Sequence, residues 1–128
     1  MLANGDGDPV AFRLTAGQAG EYAEAIHLLE GRQAEIVMAD KGYDSAAIVA
    51  KVQSLGATAV IPSRRCCKVQ RSYDRDLYKQ RNRIERCFNR LKHFRRLATR
   101  YCKSATNFRA VVALACSWIR LRKYVDTA

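Results

Sequence analysis

The sequence predicts an α/β fold, a mixed sheet containing a βαβ unit that is followed by two long C-terminal helices. Short strand patterns alternate with helical ones up to Ile61, and helical periodicity dominates from Asp76 onward. The 128 residues are enough for one domain and too few for two good cores. We therefore expect a single domain at 1–128, divided near Pro62 into a strand and βαβ part (1–62), a basic loop (63–75) and a helical part (76–128).

The N-terminal hairpin is predicted from its turn-forming residues and from the alternation of apolar and other residues that follows them. Asn4–Pro9 is dense in turn formers, and Val10–Thr15 alternates as a half-buried strand does, which predicts a hairpin turn whose first strand is cut away. Gly20–Glu30 is predicted to be a helix that Gly31 ends. Its inward face would comprise Tyr22, Ala25, Ile26 and Leu29.

The βαβ unit is predicted from two short apolar runs. Glu35–Asp40 and Ala57–Ile61 are typical of buried parallel strands, and a helix over Ala46–Leu55 separates them. Either Asp44 or Ser45 can cap that helix. Ligands of such units bind at the carboxyl ends of the strands, which makes Asp40 a candidate metal ligand.

The basic loop allows two interpretations. Residues 62–75 carry several cations, and a solvated connector is as good an explanation for any one of them as direct contact with DNA.

One helix, Asp76–Leu97, is predicted to carry the candidate site. At about 100° per residue, four of its side chains fall within an arc of roughly 60°; they are Tyr78, Arg81, Glu85 and Lys92. Glu85 is the only acid between Asp76 and Asp126, so a lone carboxylate lies in a basic stripe. A carboxylate in this setting suits a metal ion that acts on a phosphodiester. The alternative is that these four side chains form a solvated helix face, on which Glu85 pairs with Arg81 four residues earlier.

A second helix, from about Ser104 to Tyr124, is rich in apolar residues and can pack on the first helix or on a partner. We expect its Trp118 to lie in the core.

The charge is strongly asymmetric. Residues 1–60 hold 4 Lys and Arg against 8 Asp and Glu, and residues 61–128 hold 19 against 4, so that −4 and +15 give the net +11. A half-chain this basic indicates a polyanionic partner, most often nucleic acid.

The five cysteines form no C-x-x-C pair, so reduced thiols are expected. With no apolar run long enough to span a membrane, we expect a cytoplasmic protein, nucleoid-associated when bound to DNA.

Two motifs resemble a known family. Ala39-Asp40-Lys41-Gly42-Tyr43-Asp44-Ser45 resembles the segment around the second catalytic aspartate of bacterial insertion-sequence transposases of the DDE superfamily, type 4/5 group. Tyr78-x2-Arg81-x3-Glu85-x6-Lys92 is similar to that group's signature around the catalytic glutamate at all four positions and spacings. The segments 14–19 and 96–108 also resemble family segments, so the resemblance spans nearly the whole chain.

The resemblance implies DNA transposition on an RNase H-like catalytic core. Two divalent ions, Mg²⁺ or Mn²⁺, would assist phosphoryl transfer, with Asp40 and Glu85 as catalytic metal ligands. Arg81 and Lys92 would hold phosphates at the transposon end, and Tyr78 would pack against the DNA.

The resemblance also implies that one catalytic aspartate is absent. In the family the first aspartate lies on the first core strand, and Asp6 and Asp8 cannot replace it because they belong to the turn before the Val10 strand. We therefore expect only two of three ligands, no activity of the chain alone and ion binding only once the missing aspartate is supplied. An upstream transposase segment or a homodimer would be the protein partner, and DNA the substrate.

Three classes of function stay open. The first is the C-terminal part of a transposase that cuts and joins DNA. The second is a DNA-binding fragment that binds transposon ends or modulates the intact enzyme without cutting. The third is an unrelated RNA-binding or ribosome-associated protein, which the paired motifs disfavour.

Overall fold

The computed structural model describes residues 1–16, 20–94 and 103–126. In chain order its elements are β1 (Leu2–Ala3), β2 (Pro9–Ala11), α1 (Glu21–Leu29), β3 (Ile36–Met38), a 3-10 turn (Lys41–Tyr43), α2 (Ala46–Ser54), β4 (Thr58–Val60), α3 (Arg75–Lys79), α4 (Asn82–Lys92) and α5 (Ala105–Asp126).

These elements form two compact units. The hairpin unit comprises Met1–Thr15 with Asn82–Ala128, and the βαβ unit comprises Ala16–Arg81. The predicted division near Pro62 therefore lies inside the βαβ unit. The predicted α/β class is confirmed, although the described strands form two separate two-stranded sheets instead of one mixed sheet.

In the hairpin unit, β1 and β2 pair antiparallel, with Leu2 opposite Ala11. The prediction that the first strand of this hairpin is cut away was wrong, because two of its residues are present and paired. Asn4 organises the turn: its side-chain oxygen accepts hydrogen bonds from the backbone N–H groups of Asp6 (3.1 Å) and Asp8 (2.9 Å). Such bonds from a short amide are what make Asn favourable in turns.

The turn lies against α4 and α5. Gly7 has a φ of +80°, and a Cβ there would be 3.1 Å from the backbone oxygen of Arg83, so the close approach requires glycine. The carboxylate of Asp8 is buried and lies 3.1 Å from Nζ of Lys123 and 3.7 Å from Nη1 of Arg90. These charges connect three elements that are far apart in the sequence.

The core of the hairpin unit lies between α4 and α5. Its buried residues are Cys87, Leu91, Val112, Ala115, Cys116 and Ile119. Trp118 is not among them: it is 59% exposed, so the prediction that it lies in the core was wrong. Ile119 is buried and the adjacent Trp118 is exposed, because successive side chains on a helix point about 100° apart.

In the βαβ unit, β3 and β4 pair in parallel from Ile36 with Thr58 to Met38 with Val60, which confirms the predicted unit. Ser45, not Asp44, caps α2, its Oγ accepting from the N–H of Ile48 at 3.2 Å. The fully buried side chains of this unit are Ile48, Val52, Val60 and Ile61. Asp44 instead bonds to residues of the basic loop, as described below.

The described residues also include most of the thiols and the helices that could be tested as membrane spans. Four of the five cysteines fall within them, and Cys66, Cys67, Cys87 and Cys116 are all free thiols. Among the described helices, none combines the length and the apolar character that crossing a membrane requires.

Candidate functional site

Asp40 lies directly after β3, at the carboxyl end of the parallel strand pair. Its Oδ1 accepts a hydrogen bond from the N–H of Gly42 at 2.7 Å and so caps the 3-10 turn Lys41–Tyr43. A Cβ at position 42 would lie 2.7 Å from that same oxygen. Glycine at this position therefore leaves the Asp40 carboxylate in place.

A cavity of about 590 Å³ opens beside Asp40 within the βαβ unit. It is lined by Asp40, Lys41, Gly42, Pro62, Tyr73, Tyr78 and Arg81. Three residues that the sequence selected as site residues, Asp40, Tyr78 and Arg81, thus share one cavity although up to 41 positions separate them in the chain.

Two aromatic rings and a guanidinium form one wall of this cavity. The guanidinium of Arg81 lies over the Tyr78 ring at 5.5 Å from its centroid. Tyr73 meets Tyr78 edge to face, with ring centroids 5.5 Å apart. Cation–π and edge-to-face contacts of this kind restrict the orientation of both partners. The cavity therefore combines a carboxylate, two cations and two aromatic rings in edge-to-face contact.

The helix that was predicted to carry the glutamate signature is divided, so the prediction of one helix over Asp76–Leu97 was wrong. α3 ends at Lys79 and α4 begins at Asn82. Between them, the N–H groups of Gln80 and Arg81 bond to carbonyls three residues back, at 2.9 and 3.0 Å, which tightens the turn. Asn is a weak helix former, which favours an interruption of the helix next to Asn82.

Glu85 and Lys92 belong to α4, in the hairpin unit. Glu85 lies in the first turn of α4 and Lys92 is its last residue, and both are exposed. Each charge suits its end of the helix, since the N-terminus favours anions and the C-terminus favours cations. Seven residues apart, they share one face about 10 Å apart along the axis. Tyr78 and Arg81 precede the break, so the four predicted residues do not lie on one helix.

The basic loop is organised around Asp44, whose side chain is only 4% exposed. Its Oδ2 accepts from the N–H of Arg64 at 2.8 Å and lies 3.4 Å from Sγ of Cys67, and its Oδ1 pairs with the guanidinium of Arg71. Arg64 also donates to the backbone oxygen of Gly42 at 3.0 Å. The loop is therefore held against the turn that follows Asp40, and a purely solvated connector does not describe it.

Tyr43 connects the site to α1. Burial is the main reason why the pKa of Tyr43 is raised above 10.0, and the nearby carboxylates of Glu21 and Asp40 raise it further. The phenol consequently stays protonated and hydrogen-bonded to Glu21. Through this contact α1 supports the turn that bears Asp40.

The fit of a metal ion can be judged from the donors present. Carboxylate oxygens are the ligands that Mg²⁺ and Mn²⁺ prefer, so Asp40 and Glu85 have suitable chemistry. Within the described ranges, however, no group of three or more His, Cys, Asp or Glu residues is placed to hold an ion. The donor type of Asp40 and Glu85 therefore fits a divalent ion.

Sequence reasoning missed four of the seven residues that line the cavity, of which Lys41 and Tyr73 carry functional side chains. Lys41 and Tyr73 line it, and neither was selected as a site residue. Lys41 is next to Asp40, and Tyr73 is an aromatic in the basic loop, so proximity to a selected residue and mixed basic and aromatic composition were the available signals.

Comparison with known proteins decides the family. The family model described as "Transposase DDE domain" matches residues 1–120. This chain belongs to the transposase DDE domain family. A relative from Brucella ovis, named "Putative transposase for insertion sequence element IS6501", is 39% identical over 118 residues, which cover 91% of each chain. No solved structure matches the chain.

Membership of the transposase DDE domain family confirms the resemblance drawn from the two motifs. Both motifs lie within the matched residues, Asp40 to Ser45 in the βαβ unit and Tyr78 to Lys92 across the helix break. Parts of two further segments that resembled transposases, 17–19 of the first and 96–102 of the second, lie outside the described residues.

Proposed function

We propose that this transposase-family chain takes part in DNA transposition by phosphoryl transfer, with Asp40 and Glu85 as catalytic carboxylates on an RNase H-like core. The observation that carries the proposal is the cavity at the end of β3, where Asp40, Arg81 and Tyr78 meet. The family match over residues 1–120 supports DNA as the substrate. A cytoplasmic location at the nucleoid is the corresponding expectation.

The described side chains suit separate tasks on DNA. The guanidinium of Arg81 can hold a phosphate beside Asp40, and Lys41 adds a second cation to the same cavity. Tyr78 offers a ring on which a base or sugar can pack, which tolerates any sequence. Lys92, exposed at the end of α4, can contact a further phosphate.

The carboxylates would act as ligands of Mg²⁺ or Mn²⁺. Divalent ions in such sites lower the pKa of an attacking water or hydroxyl and neutralise the leaving oxygen. Because the described residues contain no group of three ligands, we propose that a further carboxylate comes from another polypeptide segment or a second chain. The chain alone is then inactive.

That the described residues contain no group of three ligands also favours a second candidate function. A chain that binds transposon ends but cannot cut would modulate the intact transposase by forming mixed complexes. The basic half of the chain, +15 over residues 61–128, is sufficient for such binding.

The deciding experiment compares the 128-residue chain with a fusion to the segment encoded immediately upstream. Strand cleavage and transfer are measured with Mg²⁺ and with Mn²⁺. We expect the chain alone to bind DNA without cutting, and the fusion to cut. Asp40→Asn and Glu85→Gln should abolish cutting by the fusion and leave DNA binding within about threefold, since neither carboxylate attracts phosphate.

Matched controls separate chemistry from charge. Asp76→Asn and Glu35→Gln remove exposed carboxylates elsewhere and should leave cutting unchanged. Cutting by the Asp40→Asn and Glu85→Gln fusions would overturn the assignment of these residues. DNA binding without cutting by every fused form would move the modulator function ahead of the enzyme.

A further inference from the structure

The guanidinium of Arg64, in the basic loop, binds the turn that follows Asp40. Its Nε donates to the backbone oxygen of Lys41 at 3.3 Å, and its Nη2 donates to the backbone oxygen of Gly42 at 3.0 Å. Both carbonyls belong to the 3-10 turn that Asp40 caps. One side chain of the basic loop therefore holds two consecutive carbonyl groups of the candidate site.

The topology of the βαβ unit explains why these residues meet. β3 and β4 are parallel neighbours, so the segments that follow them leave the sheet at the same edge. Asp40 lies two residues after the end of β3, and Arg64 lies four residues after the end of β4. The paired strands thus place Arg64 beside the turn of Asp40.

The backbone and the guanidinium of Arg64 are also held by further contacts. Its N–H donates to Oδ2 of the buried Asp44 side chain at 2.8 Å. Its carbonyl accepts from the N–H of Cys67 at 3.0 Å and from the side-chain amide of Gln70 at 2.9 Å. The guanidinium lies over the Tyr22 ring of α1, 5.2 Å from its centroid. These contacts restrict Arg64 to the orientation that binds the turn.

A single peptide group connects Arg64 to the Asp40 carboxylate. The N–H of Gly42 donates to Oδ1 of Asp40 at 2.7 Å, a short bond typical of a charged acceptor. That N–H belongs to the same peptide group as the Lys41 oxygen to which Nε of Arg64 donates. Because a peptide group is planar and rigid, holding its oxygen also fixes the direction of its N–H. The contact of Arg64 therefore determines where the carboxylate finds its donor.

We infer that Arg64 is a positioning residue for Asp40, acting through the peptide group between Lys41 and Gly42. Asp40 is a catalytic carboxylate under the proposed function, on which this role of Arg64 rests. Groups that orient a metal-binding side chain by hydrogen bonds tune the site although they do not touch the ion. Arg64 thus differs from a phosphate-binding cation such as that proposed for Arg81, because its donors bind backbone carbonyls.

Nuclear magnetic resonance of the 128-residue chain tests the positioning without DNA cutting. The amide proton of Gly42 is the readout, since a bond to a carboxylate moves its resonance to low field and slows its exchange with solvent. Arg64→Lys keeps the charge but replaces the planar fork of donors with one flexible ammonium. We expect this variant to move the Gly42 resonance to higher field and to speed its exchange at least about tenfold.

Arg65→Lys is the matched control, because Arg65 is the exposed neighbour of Arg64 and undergoes the same substitution. It should leave the Gly42 amide unchanged. Arg64→Gln, which also removes the charge, should affect Gly42 at least as strongly as Arg64→Lys does. Circular dichroism checks folding, and Arg64→Lys alone decides if Arg64→Gln unfolds. A Gly42 amide that matches the wild type in every folded Arg64 variant would overturn the inference.

DNA binding separates positioning from phosphate contact. Arg64→Gln should leave the slope of log affinity against log salt unchanged, whereas loss of a phosphate contact lowers that slope by about one. In the upstream fusion, Arg64→Lys should reduce the cutting rate at saturating DNA about 10–100-fold, the usual effect of removing a group that orients a metal ligand. Arg65→Lys should cut at the wild-type rate.

Two results on the fusion have distinct meanings. A salt slope lowered by about one in Arg64→Gln, with an unchanged cutting rate at saturating DNA in Arg64→Lys, would make Arg64 a phosphate contact and overturn its positioning role. Cutting by the Asp40→Asn fusion would overturn the proposed function instead. The Gly42 amide would still decide whether Arg64 orients the Asp40 carboxylate.

Discussion

Lys123 of α5 donates a hydrogen bond of 3.1 Å to the carboxylate of Asp8, 115 residues earlier in the chain. Asp8 is 6% exposed, and Nη1 of Arg90 in α4 lies 3.7 Å from its carboxylate. The N-terminal hairpin, α4 and α5 are therefore connected through one buried carboxylate. The carboxylate of Asp8 is thus paired with two cations within the hairpin unit.

Asp8→Asn should destabilise the hairpin unit by about 1–3 kcal/mol, because two half-exposed cations then face a neutral amide in place of the buried carboxylate. Urea unfolding followed by circular dichroism measures the change. Asp6→Asn is the control: Asp6 is exposed and lies 3.4 Å from the same Lys123, so its loss should have less than about 0.5 kcal/mol of effect. Equal effects of the two variants would contradict the role of the buried carboxylate.

The same contact should limit stability at alkaline pH. The hydrogen bond to Asp8 is the main reason why the pKa of Lys123 is raised above 10.5. The folded state then holds the proton more tightly, so the stabilisation is complete below 10.5 and is lost as pH rises through the higher folded-state pKa. Burial raises the pKa of Cys87 and Cys116 above 9.0, which adds loss of stability from about pH 9 upward.

Lys123→Arg isolates the lysine contribution, because a guanidinium stays charged at these pH values. The melting temperature of this variant should fall less steeply than that of the wild type above pH 10.5. Lys103→Arg, at an exposed site, should follow the wild type. Parallel curves for all three proteins would show that Lys123 does not titrate with unfolding.

Local sequence patterns predicted the βαβ unit. They did not predict the contact between distant residues, the helix break or which apolar face of α5 is buried. The strands around Ile36 and Thr58 were identified because short apolar runs flank a capped helix. The contact between Asp8 and Lys123 has no local signature, since it forms only after two distant segments meet. The break between α3 and α4 at Asn82 was not predicted, because a single weak helix former rarely interrupts a helix with a clear apolar periodicity. Trp118 was misassigned because α5 has two apolar faces and composition alone does not say which is buried.

Asp44→Asn should loosen the basic loop. The substitution keeps the shape of the side chain but removes the charge that pairs with Arg71, and it replaces one acceptor oxygen by a donor. Charge-assisted hydrogen bonds contribute about 1.5–3 kcal/mol, so trypsin should cleave within residues 64–71 at least about tenfold faster. Asp76→Asn, whose partner is the exposed Lys79, should leave the cleavage rate unchanged. A slow rate in both variants would mean that other contacts order the loop.

DNA binding should depend on single cations of the two site segments. Arg81→Ala and Lys92→Ala should each weaken binding and reduce the slope of log affinity against log salt by up to about one, because each removes one of the proposed phosphate contacts. Glu85→Gln should leave affinity unchanged or raise it slightly, since it removes a negative charge from a basic face. Fluorescence anisotropy over a salt series gives the slopes. Lys51→Ala, on α2 in the acidic half of the chain, is the control expected to have no effect on the slope.

The two faces of α5 should differ in their effect on folding. Ile119 is 7% exposed within the core between α4 and α5, whereas Leu121, two residues later, is 60% exposed. Ile119→Ala should destabilise the hairpin unit by about 2–4 kcal/mol, because it removes buried methyl groups and leaves a cavity. Leu121→Ala should have less than about 0.5 kcal/mol of effect when unfolding is measured at concentrations where the protein is monomeric.

Thermal unfolding of the two variants at two protein concentrations measures both effects. A large, concentration-independent loss of stability in Leu121→Ala would place Leu121 in the core of the unit, in conflict with its exposure.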